Sequence, residues 1–175
     1  MTLSLPSDPN QGYPIGPKST WQKQAADICL RPINEIEPQI TLLLPWLQDY
    51  NWPGAQEIGR LLLRVGASVV PHVKEILNAS HDSQWKYWLI VVLVCNWPRQ
   101  FVKNVEAELR EFAAKDDDSE IHLVALEALL KYELIDQTEG ARMIEAKQKN
   151  YPKLQEDIDD LKSLLEMYGR QRGQS

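Results

Sequence analysis

From Thr20 onward, apolar residues return at every third or fourth position, the spacing that lines one face of an α-helix. Trp21, Ala25, Ile28 and Cys29 form the first such face. Ser19 and Gln22 offer it a capping box, and Pro32 ends the run. A second helix fits residues 37–48, with Ile40, Leu43, Leu44 and Leu47 inward, and Pro45 within it predicts a kink or an early break. A third starts at Asn51, carries Trp52, Ala55, Gly59, Leu62 and Leu63 along one stripe, and stops at Gly66. Residues 68–78 give another, through Val69, Val73, Ile76 and Leu77, and residues 84–96 a further one. The run LIVVLVC at 89–95 suits a buried strand by propensity alone. Trp85, Trp88, Leu89 and Val92 keep the helical interval, however, and a helix apolar on nearly every side is expected at the centre of the fold. Further helices fit residues 99–115, 120–135, 138–148 and 151–168.

Short helices thus alternate with short turns. The second helix of successive pairs starts near residues 51, 84 and 119, intervals of 33 and 35 residues that fall within the range of helical-pair repeats. Before each start stands an acid, Asp49, Asp82 and the run Asp116-Asp117-Asp118, suited to a helix N-terminus as cap or dipole partner. The expected fold is all-α: a HEAT-like array of short antiparallel helix pairs, either an α/α solenoid or a compact orthogonal bundle that mimics one. Pro6, Pro9, Pro14 and Pro17 lie among Gly, Ser and Asn, so residues 1–18 read as an extended Pro-rich arm. Residues 19–168 then form a single helical domain, and residues 169–175 a flexible tail.

Composition narrows the function classes. Lys and Arg number 19 against 25 Asp and Glu, for a net charge of -6. That balance argues against nucleic acid or an anionic membrane as partner, because both are held through basic charge. Two cysteines, Cys29 and Cys95, are too few for a disulfide-stapled secreted domain. No basic start followed by an apolar run opens the chain, and the longest apolar stretch, residues 87–95, is too short to span a bilayer. A cytoplasmic protein is the expectation.

Six tryptophans accompany only two phenylalanines. An Asn-aromatic-Pro triplet occurs at Asn51-Trp52-Pro53, Asn96-Trp97-Pro98 and Asn150-Tyr151-Pro152. Each reads as a helix corner: Asn caps the next helix, Pro occupies its first turn, and the aromatic packs at the junction. The competing role is an exposed aromatic anchor for a partner, for which Trp52 is the best placed.

The stretch from Leu42 to Pro53, LLLPWLQDYNWP, followed by Trp85-Lys86-Tyr87-Trp88, resembles a bacterial family of small helical domains of unknown function. That family carries a leucine-proline-tryptophan and aspartate-asparagine-tryptophan-proline signature. The resemblance covers roughly residues 36–135 and implies a small HEAT-like fold. It supplies no catalytic residue. Proteins of this sort resemble the immunity partners found near secreted bacterial toxins.

Catalytic chemistry finds little footing. The three histidines, His72, His81 and His122, form no metal-ligand pair, and neither cysteine lies in a CxxC arrangement. Phosphate-cradling and nucleophile-elbow motifs are absent from the sequence, so no cofactor and no enzyme activity are expected. Asp49, His81 and Asp82 would need to converge to make a crude acid-base group. Some HEAT-like proteins are DNA glycosylases with a basic concave surface. Here Arg60, Arg64, Lys86 and Lys131 stand against Glu57, Glu127 and Glu133, which is no basic stripe. Nucleic-acid repair and a pure assembly scaffold remain as alternatives.

The acids are more informative. Residues 105–120 hold seven of them against Arg110 and Lys115. In a stacked array, Asp49, Asp82, Asp116, Asp117 and Asp118 would line one edge, which would steer a basic partner such as a nuclease toxin. With Tyr50 and Trp52 as aromatic anchors, these residues make up the expected partner-binding face of an immunity protein. The last helix carries Tyr151, Leu154, Ile158, Leu161, Leu165 and Tyr168 at intervals of 3, 4, 3, 4 and 3. That seam is expected to pack on the helix before it, with a partner contact as the alternative.

Overall fold

Prolines and two glycines of positive φ, Gly54 and Gly66, set several helix boundaries in the first part of this chain. The computed structural model describes residues 14–115, 120–150 and 154–172, from 168 onward by backbone alone. Its regular structure is entirely helical, with no strand among the described residues. Two compact units divide between Trp97 and Pro98, within the second Asn-Trp-Pro triplet.

In the first unit, α1 (Trp21–Cys29) follows a 3-10 turn at Lys18–Thr20 and buries Ala25 and Ile28. The expected helix over 37–48 is instead broken into short pieces. Pro32 precedes α2 (Ile33–Ile36), Pro38 opens a 3-10 turn at Glu37–Gln39, α3 covers Ile40–Leu43, and Pro45 opens a 3-10 turn at Leu44–Gln48. Each proline lacks the backbone donor that a continuous α-helix requires. The inward set still holds: Ile40, Leu43, Leu44 and Leu47 are buried, and Trp46 joins them with no exposed surface.

The next helix, α4 (Ala55–Val65), starts four residues after Asn51, because Gly54 takes φ 86° and ends the preceding turn. It stops at Gly66, φ 78°, as the sequence predicts. A 3-10 turn at Gly66–Val69 leads into α5 (Val70–Ala79), and α6 (Ser83–Val92) closes through a 3-10 turn at Val94–Asn96. Residues 89–95 are therefore helical apart from a turn at Leu93, as the tryptophan spacing indicates. The first unit is held by α1 against α4 and by α6 against the Leu44–Gln48 turn.

The second unit contains α7 (Arg99–Val102), a 3-10 turn at Lys103–Val105, α8 (Glu106–Ala114), α9 (Ile121–Lys131), α10 (Gln137–Asn150) and α11 (Gln155–Arg172). Here α9, not the helix over 84–96, is apolar and buried nearly all round: Ile121 to Leu130 are buried apart from Glu127. It lies against α8 and α11, while α11 also packs on α10. Ile158 and Leu161 of the last seam are buried, so the stripe faces this unit's own helices. No helix among the described residues is long and apolar enough to cross a membrane.

Candidate functional site

The two sequence blocks that carry the signature meet in the first unit. Trp85 Nε1 donates to the main-chain oxygen of Leu44 at 3.1 Å, a bond across 41 residues. Six residues beyond Leu44, the Tyr50 ring lies 5.5 Å from that of Trp88, and Tyr87 meets Trp88 edge-on at 5.0 Å. Tyr50 also lies over Gly59, where a Cβ would come within 3.3 Å of its ring. Gly59 is thus the small residue that admits the tyrosine. Tyr50, Tyr87 and Trp88 are each half-buried, with apolar bodies seated and part of each ring at the surface.

Trp52 sits in a second aromatic pair, 5.2 Å from Trp21. Trp21 in turn donates from Nε1 to the Gly16 carbonyl at 2.9 Å, and the Gln24 amide brackets Ile15 on both its N–H and its carbonyl. The end of the proline-rich segment is therefore tied along α1. Trp52 is half-buried by this arrangement rather than freely exposed.

The acids have separate local roles. Asp82 caps α6, its Oδ1 accepting from the Trp85 N–H at 2.9 Å, and its side chain is exposed. Asp49, half-buried, accepts from the Asn51 N–H at 2.9 Å in an Asx turn. It does not cap α4, whose start at Gly54 has no side-chain cap. The run Asp116-Asp117-Asp118 lies outside the described residues. The structure thus brings Asp49, Tyr50, Trp52 and Asp82 into one unit.

Two asparagine corners differ from the sequence expectation. Asn51 is exposed and leaves α4 uncapped. Asn96 turns back, its Nδ2 donating to the carbonyls of Val91 and Val92 at 3.1 Å each, so it closes α6 instead of opening α7. The helix that follows a triplet begins near Pro, and Pro98 itself occupies the N-cap of α7. Tyr151 and Pro152 of the third triplet lie outside the described residues. Trp97 is buried at 3% exposure, as a corner aromatic should be.

No group of three or more His, Cys, Asp or Glu among the described residues could hold a metal ion. The Cys29 thiol points at the Glu57 carbonyl at 3.6 Å. Burial, and after it the Glu57 carboxylate, push the thiol's pKa up against the pull of Arg64, which keeps it protonated and unreactive at neutral pH.

Residues 19–129 match the family described as Domain of unknown function (DUF5071). The chain belongs to the DUF5071 family. The matched segment contains every expected site residue, together with Tyr87 and Trp88, which sequence reasoning placed in the motif without giving them a site role. All of α10 and α11 lie beyond it. No curated protein matches the chain.

Proposed function

We propose that this chain is a non-enzymatic protein-binding module with a HEAT-like arrangement of helix pairs, and most concretely a cytoplasmic immunity protein that binds and neutralises a bacterial toxin. The observation that carries the reading is the half-exposed cluster that Tyr50 forms with Tyr87 and Trp88 of α6, the helix that the exposed Asp82 begins. Tyrosine and tryptophan dominate the buried centres of protein interfaces, since they bring large area at small rotamer cost. An acidic rim speeds capture of a basic partner without adding much to final affinity. Asp49 and Asp82 supply such a rim, and the chain's net charge of -6 extends it. The packing of α1 on α4, α8 on α9 and α10 on α11 supports a fold of paired helices.

The test is a growth experiment in which the open reading frame beside this gene is expressed alone and together with this chain. The expected result is growth arrest by the neighbouring product, relief when the chain is present, and weaker relief with the double variant D49N/D82N. A neighbouring product that is harmless, or arrest that the chain fails to relieve, overturns the proposal.

A further inference from the structure

Residues 14–17, Pro-Ile-Gly-Pro, double back along α1, with Ile15 beside Gln24, Gly16 beside Trp21 and Pro17 beside Thr20. The hydrogen bonds that hold them all meet main-chain atoms. The Gln24 side-chain amide accepts from the Ile15 N–H at 3.2 Å and donates to the Ile15 carbonyl. That is the two-bond exchange by which one residue of a sheet pairs with another, made here by a side chain. The Trp21 indole donates to the next carbonyl, that of Gly16, at 2.9 Å.

The two reading side chains are held in place without residues 14–16. Thr20 Oγ1 donates to the Pro17 carbonyl at 2.8 Å within the turn that opens α1, so it accepts from Gln24 Nε2 at 2.9 Å and sets the amide's orientation. The Trp21 ring is backed by Trp52 at 5.2 Å. The segment they read is held lightly by comparison, through three bonds, with Ile15 half-buried and Gly16 exposed. Gly16 takes φ 73° with nothing within 4 Å of an added Cβ, so conformation and not space demands glycine there.

We propose that this face of α1 is a peptide-binding site for a Pro-apolar-Gly segment of a partner protein, and that residues 14–16 are its exchangeable resident. Gln24 requires an N–H and a carbonyl on one residue, which excludes proline at the middle position. Glycine supplies the positive φ that turns the following carbonyl to Trp21, and the leading proline stiffens the peptide and lowers the cost of ordering it. A second copy is a poorer donor. Its Gly16 is joined to a Pro17 that stays in its own α1 turn, so exchange would force two helix starts together. None of these bonds uses Tyr50, Tyr87 or Trp88, so the site stands or falls separately from the toxin reading.

The test titrates the isotope-labelled full-length chain with the capped peptide acetyl-Gly-Tyr-Pro-Ile-Gly-amide, the sequence of residues 12–16. G16A strains the resident segment at its positive φ without touching α1, and should loosen it about tenfold. Expected is saturable movement of the Trp21 indole and Gln24 amide signals, half-complete in G16A at about a tenth of the peptide concentration that the native chain requires. A peptide with proline in place of isoleucine lacks the N–H that Gln24 accepts from and should bind about tenfold more weakly, a comparison that needs no second variant. Adding Q24L to G16A should abolish binding, with thermal unfolding as the check that α1 is kept. The proposal is overturned if G16A shows no saturable movement, if native chain and G16A bind alike, if the proline-for-isoleucine peptide binds as well, or if folded G16A/Q24L binds like G16A. Sedimentation that finds G16A dimeric until peptide is added would give the face to a second copy, and overturns it equally.

Discussion

Trp46 Nε1 donates to the carbonyl of Pro53 at 3.0 Å, closing the loop between the 3-10 turn and α4 with a single side chain. Both residues belong to the signature block, and the bond explains its spacing. Pro45 interrupts the helix, Trp46 enters the core, Asp49 turns the chain on the Asn51 N–H, and Pro53 presents its carbonyl back to the indole. Trp85 then anchors α6 on Leu44, the residue just before Pro45. The tryptophans of the motif thus add side-chain hydrogen bonds to main-chain carbonyls between the short helices.

Two substitutions separate the ring of Trp46 from its N–H. W46F keeps most of the buried ring and leaves the Pro53 carbonyl without its donor, and should cost about 1 kcal/mol. W46A also empties the ring's volume, in a site with no exposed surface, and should cost about 3–5 kcal/mol. Urea unfolding midpoints of the two variants measure the difference. Equal losses would mean that the ring's packing carries no weight beyond the hydrogen bond.

Helix identity and the buried faces were legible in the sequence because they depend on local periodicity. Ile40, Leu43, Leu44 and Leu47 face inward although the helix that was to carry them is divided among short elements. Where helices start was less legible, since that turns on which of several polar groups reaches a free N–H. Asp82 caps as expected, whereas Asn96 bonds backward and Asp49 turns the chain one step early. The Tyr50 and Trp88 contact depends on packing between distant segments. Only the glycine at position 59 hinted at it.

Gly54 is held by both conformation and space. Its φ is 86°, and an added Cβ would lie 2.4 Å from the Ala25 Cβ and 3.2 Å from the Trp21 carbonyl. G54A should therefore combine left-handed strain with a clash between α1 and the turn, a loss of about 3 kcal/mol. Gly66 has φ 78° and ψ -127°, outside the αL region, but nothing within 4 Å, so G66A should lose about 2 kcal/mol from strain alone. Thermal unfolding of the pair tests the ranking. A G66A loss as large as that of G54A would contradict the close approach of α1.

Glu127 gives the second unit a pH dependence. Burial raises its carboxyl pKa above the ordinary value; Lys131 opposes this, and Asp160 on α11 adds to it. A carboxyl with a raised folded-state pKa binds its proton more tightly in the folded chain than in the unfolded one. Its charged form therefore costs stability at neutral pH, and that cost disappears as pH falls through the raised value. E127Q should unfold at a higher temperature than the native chain at neutral pH. The gap should close by about pH 4.5, the ordinary value for the group. A gap that is constant with pH would assign the gain to packing instead.

Asp82 has two roles to separate, helix cap and acidic rim. Its Oδ1 accepts from the Trp85 N–H, and an Asn side-chain oxygen can do the same, since Asn and Asp cap about equally well. D82N should therefore keep the native unfolding midpoint, while D82A should lose about 1 kcal/mol. If the rim steers a basic partner, D82N should still slow association at low ionic strength, because its charge is gone while its cap remains. The difference should fade at about 0.5 M salt, where screening is shorter than the approach distance. Stopped-flow association of the purified pair measures both. A D82N on-rate equal to the native one at low salt would leave Asp82 a cap alone, and would move the search for partner contacts to the rings of Tyr50 and Trp88.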